Sequence, residues 1–272
     1  MTTRQRKARV LVRPTEPTHH QTTWGGAFAA GLRRHGWDVD LVLHAGPPCD
    51  LLVMWSTRRQ REISVQRALN RQVCVLERGY VGDRFQWTSV SFGGGLNGHA
   101  DFYGPFEDGS RWQQHFAHLM QPWRPAPDGY ALVLQQVHGD MSLMGTDIDR
   151  FYNDALTVYG QKFPVKFRSH PQAHPRKPDS LEKAAQTLAE DLAGARLAVT
   201  FNSNSGVDAV LAGIPTIAAN PGSMAWDVTG HKLGEIPPTP DRTAWANAIA
   251  WKQWRMDELA SGYCWEHVGH GF

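Results

Sequence analysis

A chain of 272 residues, 41% hydrophobic and 20% charged, is longer than one small core needs and has the makeup of a folded globular protein, which excludes collagen-like and disordered classes. Its apolar runs, such as Leu51 to Trp55, fall far short of the roughly 20 residues a bilayer crossing takes, so no spanning helix is expected. The net charge of +2 hides an uneven spread: residues 1–125 carry 16 Lys/Arg against 10 Asp/Glu and residues 126–272 carry 12 against 16, which makes the front half the basic one, able to contact a polyphosphate, with solvated surface charge as the plainer reading.

From the N-terminus, a basic start is cut short at Pro14 before any secretory core forms, so a cytoplasmic protein is expected. Short aliphatic runs at Arg9 to Val12, Val39 to Val42, Asp50 to Met54 and Val73 to Leu76 read as strands. Between the first two, Trp24 to Arg34 spaces its apolar residues helically and stops at His35-Gly36. The proline-rich Gln121 to Gly129 then reads as a linker. Beyond it the alternation restarts with a strand at Tyr130 to Leu134, a helix from about Asp147 to Tyr159 and a strand at Val165 to Phe167. Asp179 and Glu182 predict a capping box opening a helix that runs to Ala193, ahead of the strand Leu197 to Phe201. Residues from Pro240 onward read as one helix burying aromatics, among them Trp245, Trp251 and Trp254.

Two successive βαβ systems on parallel sheets predict an α/β architecture of two Rossmann-like domains with a ligand cleft between them, and a C-terminal helix packing across both. The expected divisions are 1–125, 126–239 and a tail, 240–272, that returns to the first domain. A monomer is the expected state. Cys49, Cys74 and Cys264 are scattered and lack CxxC spacing, so they read as structural thiols.

The most informative stretch is Thr200 to Pro215, a strand running into Asn202-Ser203-Asn204-Ser205, a helix, and a Gly213-Ile214-Pro215 stop. Ser203, Asn204 and Ser205 suit a helix start whose exposed amides and positive dipole end would hold a diphosphate. Asp208, one turn inside, is placed to accept from ribose hydroxyls; the plainer reading of the whole stretch is an ordinary capped helix.

This pattern, with Arg168-Ser169-His170-Pro171 one unit earlier, resembles the donor domain of GT-B glycosyltransferases, particularly capsule-polysaccharide and phage-encoded enzymes. Those families usually carry Glu where this chain has Asp208. The resemblance implies that Arg168 and His170 face the donor phosphates, and that Gln136, Asp140 and Ser142 of the segment Gln135 to Ser142 lie beside the donor. A second segment, Glu77 to Trp87 followed by Gly95-Leu96-Asn97-Gly98, is similar to an acceptor-domain motif of phage transferases that glycosylate hydroxymethylated DNA bases. It implies acceptor contacts from Tyr80, Arg84, Phe85, Trp87 and Asn97. Inverting transfer needs a base to take the acceptor hydroxyl's proton, and Glu77 and Asp83 are the candidates, against structural pairing with Arg78 or Arg84. A flipped base in duplex DNA would need an aromatic filler or sandwich, for which Tyr80, Phe85 and Trp87 are available; core packing is the plainer reading of each.

The implied function is transfer of a hexose, glucose from UDP-glucose, to the hydroxymethyl group of a modified pyrimidine in phage DNA, within the bacterial host cytoplasm. A surface or capsule glycan as acceptor and a non-catalytic nucleotide- or DNA-binding role are the alternatives. No tightly bound cofactor is expected, and magnesium on the diphosphate is compatible but not required. Gly93, Gly95 and Gly98 spell GxGxxG without a following helix, Asp147-Ile148-Asp149 reads as helix capping, and the histidine pairs lack ligand spacing, so no metal site is expected.

Overall fold

The computed structural model describes residues 4–126, 128–170 and 186–271. In chain order the elements are β1 (Lys7–Leu11), α1 (His20–Arg34), β2 (Asp38–Val42), β3 (Leu51–Trp55), α2 (Gln60–Ala68), β4 (Gln72–Arg78), β5 (Thr88–Phe92) and α3 (Ser110–His115). Next come β6 (Tyr130–Leu134), α4 (Ile148–Gly160), β7 (Val165–Arg168), α5 (Leu188–Ala193), β8 (Ala195–Thr200), α6 (Ser205–Leu211) and β9 (Thr216–Ala218). The C-terminal part adds α7 (Thr243–Ala250), β10 (Gln253–Trp254), α8 (Met256–Ser261) and α9 (Tyr263–Val268).

These elements form two compact units, Met1–Arg111 with Ala246–Phe272, and Trp112–Trp245. The first is built on a six-stranded sheet in the order β10-β5-β4-β3-β1-β2. Strands β1 to β4 pair in parallel, as the sequence predicts, but β5 pairs antiparallel with β4 and β10 antiparallel with β5. The expectation of a purely parallel sheet is corrected here: only a short turn, Gly79 to Trp87, joins β4 to β5, too little chain for a crossover helix. One face is covered by a core that includes Phe28, Leu32, Trp254, Leu259 and Trp265, the other by a smaller core around Met54, Ile63 and Val75.

The second unit has four parallel strands in the order β7-β6-β8-β9. Phe151, Tyr152 and Tyr159 of α4 pack on one face and Leu192, Ala209 and Ile214 on the other. Its parallel strands read as apolar runs because both faces are covered.

Three local expectations meet a different outcome. The helix read as Trp24 to Arg34 begins at His20, where the His19 ring caps the Gln21 amide at 3.2 Å. The segment read as a linker is tied into the second unit, with Gln121 N donating to Leu211 O at 2.8 Å, Arg124 N to Gly213 O at 3.0 Å and the Trp123 indole to Pro240 O at 2.8 Å. The single C-terminal helix is instead three, broken at Gln253–Trp254 where the chain becomes an edge strand beside β5. The capping box at Asp179 and Glu182 lies outside the described residues. The described start of α5 carries its own capping box, Thr187 with Glu190.

Gly213 shows why the Gly-x-Pro stop is needed. Its φ is +75°, and a Cβ there would meet Pro122 O at 2.0 Å, so only glycine both turns the chain left-handed and lets the Pro122 segment pass.

Candidate functional site

In the second unit the polar side chains gather beyond the carboxyl ends of β6, β8 and β9, where ligands bind in open α/β sheets. Gln136 is 6% and Asn202 2% exposed, and each answers the other. Gln136 Nε2 donates to Asn202 Oδ1 at 2.8 Å and Asn202 N donates to Gln136 Oε1 at 3.1 Å. Asn202 Nδ2 donates on to Ser142 O at 2.8 Å and to Asn220 Oδ1 at 3.2 Å, while Gln136 Nε2 also reaches Ser142 Oγ at 3.3 Å. Asp140 completes the group by accepting from Ser142 N at 2.8 Å and Ser142 Oγ at 2.6 Å. Below it the Tyr152 hydroxyl accepts the Gln136 amide at 2.6 Å; burial pushes that phenol up to about 12, so it stays protonated.

Three strand ends are thereby cross-linked by side-chain amides, and Gln136, Asp140 and Ser142 are brought together. Asn202, Asn220 and Tyr152 extend the cluster. Asn202 stands inside the motif quoted from the sequence, but Asn220 lies 18 residues further on and Tyr152 on a helix, and nothing in local spacing marks either.

The start of α6 differs from the expected row of exposed amides. Ser203 N is bonded to Thr200 Oγ1 at 2.9 Å, Ser205 N to Ser203 Oγ at 3.3 Å, Gly206 N to Ser203 O at 2.9 Å and Val207 N to Asn204 O at 2.9 Å. α6 has seven residues, and the amides of Ser203, Ser205, Gly206 and Val207 are already satisfied within this polar turn. Asn204, Ser205 and Asp208 are half-buried in the same short segment.

Arg168 ends β7 with its guanidinium on the Asp191 carboxylate of α5 and on Gln186 O at 2.7 Å. Lys166 Nζ also reaches Asp191, at 2.6 Å. Burial pushes the Asp191 carboxyl up, but the two cations outweigh it and hold it below the ordinary range. In this arrangement the Arg168 charge neutralises a buried acid. His170 follows, half-buried, and Pro171 lies outside the described residues. Asp147 caps α4, as its spacing predicts, and Asp149 takes His138 Nε2 at 2.7 Å. Among the described residues no group of His, Cys, Asp or Glu is arranged to hold a metal ion, and no helix is long and apolar enough to cross a membrane.

In the first unit the corresponding edge is formed by the ends of β1, β3 and β4. Glu77 Oε1 accepts from Arg78 N at 2.9 Å. Asp83 shapes the following turn, accepting from Phe85 N at 3.0 Å and Gln86 Nε2 at 3.1 Å. Tyr80 and Trp87 are 3% and 7% exposed, so they hold core positions, whereas Phe85 is 69% exposed. Arg84 is half-buried, and Asn97, at φ +52°, opens a single 3-10 turn. Sequence reasoning missed Gln253, which is fully buried and clamps this turn from the C-terminal segment. Its Oε1 accepts from Tyr80 N at 2.6 Å and Val81 N at 3.0 Å, and its Nε2 donates to Val81 O at 3.0 Å. Gly79 leaves room for that clamp, since a Cβ there would meet Trp87 Cβ at 2.6 Å and Gln253 Oε1 at 3.0 Å.

His20, in the first turn of α1, sets its ring 4.5 Å from Trp55 at the end of β3. Burial, aided by His19, Arg78 and Arg13, lowers its pKa to about 4, so it is a neutral imidazole at pH 7.

Two sheets of this topology, with polar side chains at the carboxyl ends of parallel strands, define an α/β protein of two Rossmann-like units, the GT-B class of fold. Solved structures bear this out. Thermosulfurimonas dismutans KpsC, described as a beta Kdo 2,4 transferase, matches with a TM-score of 0.59 and 13% identity over 93% of each chain. A second KpsC structure from the same organism, a beta Kdo 2,7 transferase, matches with a TM-score of 0.56 and 12% identity over 92% of each chain. At these identities the likeness establishes the fold. No protein-family model and no curated protein sequence matches the chain.

Proposed function

We propose that the protein is a glycosyltransferase that takes a sugar from a nucleotide donor bound by the second unit. The observation that carries this reading is the amide network of Gln136, Asn202 and Asn220 with Ser142 and Asp140, set at the carboxyl ends of three parallel strands. The fold is also that of two sugar transferases over nearly the whole chain. Such a network fixes donors and acceptors before the ligand arrives, which is how an enzyme meets developing charge on a departing diphosphate without reorganising. Ser203, Asn204, Ser205 and Asp208 border the same edge and are assigned to the phosphates and ribose, with His170 and, if it leaves Asp191, Arg168 at the far side.

The acceptor is assigned to the first unit. The favoured acceptor is the hydroxymethyl group of a modified pyrimidine in phage DNA, with a hexose, glucose from UDP-glucose, as the group transferred. Support comes from the excess of Lys and Arg in residues 1–125 and from the open ring of Phe85, which suits stacking against an unpaired base. Glu77 and Asp83 remain the assigned acceptor-side carboxylates, with Arg84 and Asn97 bordering them. A glycan acceptor is the second reading, favoured by the fold shared with the two KpsC transferases.

Purified protein incubated with hydroxymethylated and unmodified DNA, a glycan panel and a series of sugar nucleotides tests this directly. Mass spectrometry of the digested products should show a hexose on the hydroxymethylated nucleoside only. Sugar on a glycan and none on DNA replaces the first acceptor by the second, and no transfer from any donor removes the enzyme reading.

A further inference from the structure

Arg78 is the last residue of β4, and its half-buried guanidinium lies 4.5 Å from the ring centre of Phe85 and 5.4 Å from that of Trp55. Among the described residues no carboxylate lies within ion-pair reach of it and no hydrogen bond leaves its side chain. Ring faces are a weak substitute for an anion. A cation held this way, partly out of water and short of hydrogen-bond acceptors, is set up for an anionic guest.

Its neighbours favour the same guest. His20 packs edge-on against Trp55, where burial, aided by His19, Arg78 and Arg13, keeps it neutral. Arg58 and Arg84, on the segments leaving β3 and β4, likewise have no carboxylate at ion-pair distance among the described residues. The ring of Phe85 adjoins Arg78 and is 69% exposed. A flat apolar surface beside a fork of N–H donors matches a phosphate joined to an aromatic base better than an acidic sugar, which has no aromatic face.

We propose that Arg78 and Phe85 form an acceptor-anchoring subsite in which the Arg78 guanidinium grips a phosphate of an acceptor nucleotide and the Phe85 ring stacks on its base. This deepens the reading of the first unit as the acceptor side and rests on it. Trp55 acts as the backing that keeps the guanidinium plane in place.

Fluorescence polarisation of the full chain with a labelled single-stranded deoxyoligonucleotide, without donor, tests the subsite apart from catalysis. Arg78→Gln should weaken binding about tenfold or more and lower the slope of log affinity against log salt by about one. Phe85→Ala should weaken binding at least about fivefold and leave the salt slope unchanged. Arg78→Lys keeps the charge and the slope while losing part of the affinity, and it carries the test if the Gln variant does not fold. Unchanged binding in the Arg78 variants overturns the inference, as does no binding by the wild type or displacement of the oligonucleotide by a uronic-acid oligosaccharide at lower concentration than by unlabelled oligonucleotide. DNA glycosylation that survives Arg78→Gln would sink the subsite and leave the proposed function standing. Arg78-dependent binding with no transfer would do the reverse.

Discussion

Arg111 and Arg78 are both drawn partly out of water beside aromatic rings in the same unit, and they differ in what completes them. Arg111 is 4% exposed, with Trp87, Trp251 and Trp254 within 5.3, 5.1 and 4.6 Å. Its fork binds Glu258 at 2.6 Å through both terminal nitrogens, and Nε and Nη2 also donate to Ala250 O and Gln253 O, each at 2.9 Å. Arg78 has the rings but, among the described residues, no acid at ion-pair distance. A buried cation paired with an acid and bonded to two carbonyls is architecture, tying the C-terminal segment to the first sheet, whereas one with no such acid among the described residues, at the carboxyl end of β4, fits the proposed role of receiving an anion.

The two arginines should therefore part company under mutation. Arg111→Leu strands the Glu258 carboxylate and should cost about 3–5 kcal/mol of stability. Arg78→Gln should cost less than about 1 kcal/mol, since it breaks no ion pair. Urea unfolding of both variants makes the comparison, and equal losses would erase the distinction.

Gln253 sharpens it, because this residue serves both roles: it belongs to the Arg111 clamp through its carbonyl and holds the Gly79 to Val81 turn through its side chain. Gln253→Leu leaves two amides and a carbonyl without partners and should cost about 2–3 kcal/mol. In the same variant the apparent KM for the acceptor should rise while that for the donor stays put, which steady-state kinetics under each limiting substrate would show. An unaltered acceptor KM would confine Gln253 to the scaffold.

A pH-dependent effect belongs to His20. Its folded pKa of about 4 lies below the ordinary 6.5, so the unfolded chain binds the extra proton between those values. Its contribution to stability is complete above pH 6.5 and fades as the pH falls toward 4. The ring-proton NMR signal assigned through His20→Gln should titrate near 4; a midpoint near 6.5 would show that burial and the neighbouring His19 and Arg78 exert no such effect.

The strands were legible because parallel strands covered on both faces are written as unbroken apolar runs, and Tyr130–Leu134 could be delimited on that ground alone. Gln253–Trp254 could not. Two residues between α7 and α8 hold no period, and only the exposed edge of β5 makes them a strand. The site was legible in the same uneven way. The polar turn at Asn202 to Ser205 announces itself, but the sequence does not say that Thr200 and Ser203 have already taken its amides. It also does not say that Asp191 engages Arg168, that Tyr80 and Trp87 turn inward, or that no acid among the described residues pairs with Arg78. Those are outcomes of packing between segments far apart in the chain, which local pattern does not encode.

The most direct test of the central assignment is a crystal structure with the sugar nucleotide that supports transfer. The account predicts an ordered diphosphate and ribose against Gln136, Ser142, Asn202 and Ser205 at the carboxyl edge of the four-stranded sheet. In an Asn202→Ala variant, affinity for that nucleotide should fall about tenfold. An ordered nucleotide seated elsewhere, with this edge empty, would contradict it.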